Sequence, residues 1–300
     1  MIGKTQFENI GGGLLVRAPA KINLSLLVGP LREDGFHEIE TLMAKVNFYD
    51  EILIEPGLKG GIELVCEGPE WAPKGEDNLV EQAAQMLLNC CGQLADVKIT
   101  LRKYIPAGSG LGSASSDAAA VLIGLNEYLQ LGLTRGELKK TAVKLGSDIP
   151  FFLGDSLSFC HGRGEKTRKI QKKFDFDAIL VLPDVSVSTK KAYANYAYNG
   201  ELYKKLSSRI RGLIEKNRID LVTKMCTNML ELSCFSLYKE LKEVKKKIES
   251  LEIGPVCLSG SGSSMFCILA HIGRNECEKD KCKLDEKMGC KSIIVSNNRW

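Results

Sequence analysis

In Ile105-Pro-Ala-Gly-Ser-Gly-Leu-Gly-Ser-Ala-Ser-Ser-Asp-Ala-Ala-Ala-Val-Leu-Ile-Gly-Leu-Asn126, three glycines, Gly108, Gly110 and Gly112, precede an apolar run. Glycine reaches positive φ without a Cβ clash and lets a ligand approach the backbone closely. The run puts Ala118, Val121, Leu122, Leu125 and Leu129 on one stripe, so a core-packed helix is predicted to begin near Ser113. A glycine loop that feeds a helix N-terminus presents unpaired N–H groups and a partial positive charge, which suits a phosphate. A Walker A loop would need a lysine at its end, and none occurs between Tyr104 and Gln130. The dinucleotide fingerprint would need a third glycine where Ser113 stands. On this segment alone, a phosphate cradle competes with an ordinary glycine/serine turn capping a helix.

The 300 residues allow one large or two ordinary domains, and an apolar fraction of 44% is enough for a sizeable core. A net charge of +4 mildly favours acidic small molecules. The N-terminal ten residues show no apolar signal core, and no apolar run is long enough to span a membrane. These features predict a cytoplasmic protein whose eleven cysteines are reduced thiols. Cys277, Cys282 and Cys290, near His271, lack a Cys-x-x-Cys pair and are read as free thiols rather than zinc ligands.

In chain order, residues 14–28 read as a strand interrupted at Pro19. Alternation after the proline puts Ile22, Leu24, Leu26 and Val28 on one face, with Lys21, Asn23 and Ser25 on the other. Arg32-Glu-Asp-Gly-Phe-His-Glu38 is a polar turn tightened at Asp34-Gly35, where Phe36 and His37 offer an aromatic plane and a ring donor. Strands are predicted at 42–55, 62–66 and 97–102, and a helix capped by Asp77 ends before Gly92. Thr134-Arg-Gly-Glu137 matches a capping box for a helix that Gly146 stops. Asp148 follows that stop, partly enclosed at a domain edge, with capping of the turn before Pro150 as the plain alternative. His161-Gly-Arg-Gly-Glu-Lys166 is the candidate boundary. Beyond it come a strand at 178–182, a helix with Lys190 and Tyr193, and mostly helical sequence over 201–249. A second glycine/serine turn then precedes a buried strand, and a helix over 274–288 and a strand at 292–295 close the chain.

Three of these segments together resemble the GHMP small-molecule kinases, named for galacto-, homoserine, mevalonate and phosphomevalonate kinase. Pro106–Ser116 is similar to the family's Pro-x-x-x-Gly-Leu-Gly-Ser-Ser signature, Ala18-Pro-Ala-Lys-Ile-Asn-Leu24 to its N-terminal motif, and Leu258-Ser-Gly-Ser-Gly-Ser-Ser264 to its C-terminal glycine motif. Arg32–Glu38, Leu145-Gly-Ser-Asp-Ile-Pro-Phe-Phe-Leu153 and Val185-Ser-Val-Ser-Thr-Lys190 resemble the branch that phosphorylates a cytidyl-diphosphate-linked methylerythritol in non-mevalonate isoprenoid synthesis. Serine at 113 and phenylalanine at 36 depart from that branch's glycine and tyrosine, and the first ten residues or so are unmatched.

The resemblance implies an α+β fold of two domains. Residues 1–162 would form the ATP-binding domain, akin to the second domain of a small-subunit ribosomal protein, and 163–300 a ferredoxin-like substrate domain. It implies transfer of the γ-phosphoryl of ATP, with Mg²⁺, to the 2-hydroxyl of the methylerythritol moiety. Lys21 and Asp148 would be catalytic. Pro106, Ala107, Gly108, Ser109, Gly110, Leu111, Gly112, Ser113, Ala114, Ser115 and Ser116 would cradle the triphosphate, Asn78 would contact adenine, and Ser115 or Ser116 would approach Mg²⁺ or phosphate. Phe36 and Tyr193 would sandwich cytosine and His37 would bond it, with Asn23 and Thr189 on the rest of the substrate. No protein metal site, nucleic acid or membrane is expected, and the chain would be a monomer or weak homodimer. The rivals are another GHMP kinase of homoserine or mevalonate type, which Ser113 favours, and an RNA binder. The latter is opposed by the mild charge and by glutamates interleaved around Lys245–Lys247.

Overall fold

Helices laid on two β-sheets make up the chain in the computed structural model, which describes residues 5–58, 60–73, 77–171, 174–269, 274–298 and 300. The first sheet is built on a long hairpin of β2 (Gly13–Leu31) and β3 (His37–Pro56), with β1 (Phe7–Ile10) on the outer edge of β2. One half of β3 pairs with β5 (Val97–Arg102), which in turn runs parallel to β4 (Ile62–Glu67). The other half pairs with β6 (Leu157–Gly162), and β7 (Lys166–Lys169) folds back on β6. Helices α1 (Leu79–Cys91), α2 (Ser113–Tyr128), α3 (Arg135–Leu145) and α4 (Ile149–Phe152) cover this sheet. Val16, Ile52, Ile54 and Ile99 pack there against Val121, Leu122 and Leu125 of α2, all fully buried.

The second sheet comprises β8 (Asp177–Leu182), β9 (Val256–Leu258), β10 (Met265–Leu269) and β11 (Lys291–Ser296), ordered β11-β8-β10-β9 and antiparallel throughout. Between β8 and β9 lie α5 (Thr189–Ala194), α6 (Gly200–Glu215), α7 (Ile219–Met225), α8 (Glu231–Leu237) and α9 (Lys239–Glu249), and α10 (Arg274–Met288) joins β10 to β11. That connectivity and strand order are ferredoxin-like, as expected.

The structure departs from the sequence reading at several places. The stretch at 161–166 is a hairpin turn rather than a linker: Gly162 and Gly164 take φ of +76° and +111°, and β7 extends the first sheet to Lys169, past the expected break after 162. One core also runs across both sheets, joining Ile22, Leu24 and Leu42 to Ile210, Val222 and Phe266. Pro19 marks a bulge, not a break, because the register of β2 shifts between Pro19 and Ala20 while pairing continues. A second shift between Asn23 and Ser25 reverses the alternation. Leu26 and Val28 therefore leave the face of Ile22 and Leu24 and pack with Ile39 and Leu230. The cap of α1 is Asn78, whose Oδ1 accepts the Val80 N–H at 2.9 Å, rather than Asp77.

The Thr134 capping box and the start of α2 at Ser113 are as predicted. Not every thiol is free, contrary to expectation. Cys226, in a left-handed turn ending α7, lies across from Cys257 on β9 with Cα atoms 5.1 Å apart, and the two are disulfide-bonded. Cys282 and Cys290 form no disulfide, and His271 lies outside the described residues. Among the described residues no helix is long and apolar enough to cross a membrane.

Candidate active site

A cleft of about 1040 Å³ opens where the two sheets meet. Its floor is the middle of β2, which the two bulges turn so that Lys21, Asn23 and Leu26 face the opening together. The cleft also takes in residues 106–115 of the glycine loop, Phe36 and His37, Asn78, Asp148, Thr189 and Tyr193. These positions are spread over more than 170 residues of chain, and only folding gathers them.

The glycine loop is held from three directions. Gly108, Gly110 and Gly112 all adopt left-handed φ, between +67° and +76°. The Gly108 carbonyl accepts the Val187 N–H at 3.0 Å, the Ser109 carbonyl accepts the Ser264 N–H at 2.9 Å, and the Gly110 carbonyl accepts the Ser259 hydroxyl at 3.0 Å. The second glycine turn thus braces the first. Ser109 turns its own hydroxyl back to the Pro106 carbonyl at 2.6 Å. The loop delivers its N–H groups to the first turn of α2, where the helix dipole adds positive potential for an anion.

Lys21 is buried beneath this loop, with its ammonium donating to Asn23 Oδ1 at 2.5 Å, and the Asn23 amide donates in turn to Thr41 Oγ1 at 2.8 Å. A Cβ at Gly260 would stand 3.1 Å from Lys21 Nζ, and one at Gly112 would stand 3.1 Å from its Cγ. The lysine therefore threads between the two glycine turns. Burial pushes its ammonium below the ordinary lysine value, and the field of Asp148 opposes that shift. Asp148 precedes α4 without making a side-chain cap bond, which sets aside the plain capping alternative. It lines the cleft half-buried.

At the far end, His37 Nδ1 lies 2.8 Å from the Gly29 carbonyl. A carbonyl only accepts, so Nδ1 is the nitrogen that carries the proton, and the tautomer with that proton leaves Nε2 as an acceptor rather than the expected donor. Its ring centroid is 6.0 Å from that of Tyr193. Burial pushes the Tyr193 phenol up, and Asp148 adds to the shift. Thr189 Oγ1 shares a hydrogen bond of 2.9 Å with Ser261 of the second glycine turn.

Several predicted ligand groups are otherwise engaged, Asn23 among them, since both ends of its amide are bonded to Lys21 and Thr41. Ser116 does not line the cleft: it is buried, and its hydroxyl donates to the Pro19 carbonyl at 2.6 Å. It stands on the inward side of α2, opposite a carbonyl at the first bulge. Asn78 lines the cleft, but its amide is divided between the α1 cap and the Pro73 carbonyl at 2.7 Å.

The sequence reading also missed a buried cluster under the loop. Lys103 Nζ contacts Asp50, Asp117 and the hydroxyl of Ser113, with Asp117 at 2.7 Å. Asp50 Oδ1 also accepts the N–H groups of Tyr104 and Ile105, which clamps the entry to the loop. Burial raises the Asp117 carboxyl well above the carboxylate range. The Lys103 ammonium also loses hydration on burial, yet its close contacts with Asp117 and Asp50 raise it above the ordinary lysine value. Ser113 has a partner here that glycine would not supply, so its side chain belongs to the underside of the loop. The signal was legible: Asp117 lies one turn before Val121 on the apolar face of α2.

Comparison with known proteins places these motifs in context. Residues 78–155 match the model of the GHMP kinases N-terminal domain, and residues 210–279 match that of the GHMP kinases C-terminal region. The 4-diphosphocytidyl-2-C-methyl-D-erythritol kinase of Methylacidiphilum infernorum is 42% identical over 255 residues, covering 84% of this chain and 85% of that one. The protein of the same name from Desulfotalea psychrophila is 36% identical over 291 residues, covering 94% and 96%. A crystal structure of 4-(cytidine 5'-diphospho)-2C-methyl-D-erythritol kinase superposes with a TM-score of 0.72 at 31% identity, covering 95% of this chain and 99% of that one. Homoserine kinase from Cytophaga hutchinsonii superposes at 0.74 with 20% identity over 99% and 98% of the two chains, a likeness of fold alone.

Proposed function

The chain belongs to the 4-diphosphocytidyl-2-C-methyl-D-erythritol kinases, a branch of the GHMP kinases, and on that premise we propose that it transfers the γ-phosphoryl of ATP to the 2-hydroxyl of 4-diphosphocytidyl-2-C-methyl-D-erythritol. The observation that carries this reading is the single cleft shared by Lys21, Asp148, the glycine loop and the aromatic end formed by Phe36, His37 and Tyr193. Such a cleft takes a long substrate in one direction: base at the aromatic end, alcohol at the Lys21–Asp148 end, triphosphate over the loop.

In this reading the backbone N–H groups of 108–115 and the N-terminus of α2 hold the triphosphate. The left-handed glycines fit that task, since a Cβ at Gly108 or Gly110 would collide with its surroundings within 2.4 Å. Ser115 on the cleft wall and Asp148 are oxygen donors of the kind Mg²⁺ prefers, and the ion when bound offsets negative charge on the transferred group. Asp148 accepts the hydrogen bond of the acceptor hydroxyl, orients its lone pair toward phosphorus and takes its proton as the P–O bond forms. Lys21 stabilises the oxygen as it loses that proton and the phosphoryl oxygens as they cross. Asn23 and Thr41 hold the ammonium in place, so the catalytic charge is positioned before substrate arrives.

At the other end His37 Nε2 accepts from the 4-amino group of cytosine, while Phe36 and Tyr193 offer rings to its faces. The enzyme is expected to be cytoplasmic, and its substrate is a small molecule. An ADP-release assay with the cytidyl substrate, mevalonate and homoserine tests the reading. Turnover confined to the cytidyl compound supports it. Comparable turnover of either alternative with none of the cytidyl compound would refute it.

A further inference from the structure

Arg163 occupies the turn between β6 and β7, in a position the reaction described above leaves without a task. Its guanidinium carbon lies 4.9 Å from the centroid of the Phe36 ring, and both residues line the cleft. Among the described residues the guanidinium makes no ion pair within 4 Å and donates no side-chain hydrogen bond; its field is felt at Asp34. A guanidinium held over a ring by cation–π attraction spends none of its N–H groups on that contact, which leaves them for an oxyanion. The turn is also anchored close to the reaction centre. The Arg163 backbone N–H donates to Glu165 at 2.6 Å, the Gly162 N–H donates to Glu38 at 2.9 Å, and a Cβ at Gly164 would stand 3.5 Å from Asp148 Oδ1. Arg163 therefore stands between the ring that is to hold the base and the carboxylate that is to meet the alcohol.

We infer that Arg163 is a specificity-determining residue that binds the diphosphate of a nucleoside-diphosphate-linked substrate, with Phe36 holding its guanidinium where it meets the phosphate oxygens. The inference rests on the proposed function and deepens it. The span between base and alcohol in such a substrate carries two negative charges; among the described residues the lysines lining the cleft are Lys21 at the alcohol end, Lys103 paired with Asp50 and Asp117 beneath the loop, and Lys190 on the exposed first turn of α5. A planar fork suits paired phosphate oxygens better than a flexible ammonium does. The task of Phe36 becomes double: one face for the pyrimidine and one for the arginine.

The test is equilibrium binding of cytidine and of CDP to the full chain and to its Arg163→Ala, Arg163→Lys and Lys190→Ala variants. The wild type should prefer CDP over cytidine, and Arg163→Ala should cut that preference about tenfold or more while cytidine affinity moves far less. Arg163→Lys should restore part of the preference, because charge returns without the fork. If Arg163 only props up Phe36, cytidine and CDP weaken in equal proportion and the preference stands, which overturns the inference. A loss of preference confined to Lys190→Ala overturns it too. Failure of the wild type to bind either ligand would instead strike at the cytidyl site itself, and the inference would fall with it.

Discussion

Replacing Gly110 by alanine tests whether the two glycine turns act as one cradle. At φ of +76° an alanine carries about 1–2 kcal/mol of left-handed strain. Its Cβ would also stand 2.0 Å from the Ser259 carbonyl oxygen and 3.0 Å from that of Gly262, both backbone atoms that no rotamer change can move. The turns must part, which breaks the bond from the Ser259 hydroxyl to the Gly110 carbonyl and strains that from the Ser264 N–H to the Ser109 carbonyl. Each such bond is worth about 0.5–1.5 kcal/mol net, so the total loss should lie at about 2–5 kcal/mol. Gly92 supplies the control: its φ is +61°, yet a Cβ there meets nothing within 4 Å, so alanine at 92 suffers strain alone. Thermal unfolding should therefore show Gly110→Ala falling well below Gly92→Ala, and steady-state kinetics should show the ATP KM rising only for Gly110→Ala. Equal midpoints and an unchanged ATP KM would refute the bracing argument.

Four further outcomes are expected. Lys21→Met should lower kcat by about 10²–10³-fold with little change in ATP KM, as expected for a charge used mainly in the transition state; a loss confined to KM would reassign it to binding. Ser116→Ala should cost about 1–3 kcal/mol in denaturant unfolding through the orphaned Pro19 carbonyl, with ATP KM unmoved. A raised ATP KM there would return the hydroxyl to the triphosphate. Asp117 holds its proton in the folded state above the pH where the unfolded chain releases it, so it stabilises the fold at acid pH and that contribution fades as pH rises toward the folded value. Asp117→Asn should thus gain thermal stability over the wild type as pH rises from 5 to 8, and a gap that does not widen would show that Asp117 is ionised in the fold. Finally, with Nδ1–H committed to Gly29, His37 should favour CDP over UDP by about tenfold or more, since uracil presents an acceptor where cytosine has a donor. Equal affinity would place the base elsewhere.

Local chemistry was legible wherever a short stretch of chain decides its own conformation. The left-handed glycines before α2, the Thr134 capping box, the stop at Gly146 and the Asp34-Gly35 turn all follow from residue types within one or two turns of backbone. That Lys21 and Asp148 line one cleft was expected from sequence only through resemblance; no spacing rule joins residues more than 120 positions apart. The phase of β2 was not legible. A bulge at Asn23–Ser25 reverses which face each later residue takes, and bulges depend on the partner strand.

What the sequence determined by itself was the set of parts: a glycine loop entering a helix, a second glycine turn, a lysine–asparagine pair on a strand and an aromatic–histidine tip. Tertiary structure alone decided which hydroxyls of the loop are bonded to protein. Ser116 and Ser113 sit in the same motif as Ser115, yet one bonds Pro19 and the other joins Lys103, Asp50 and Asp117. The reason is physical. A helix start fixes only the angle at which each side chain leaves the axis, whereas its partner is set by whatever strand the sheet brings beneath it.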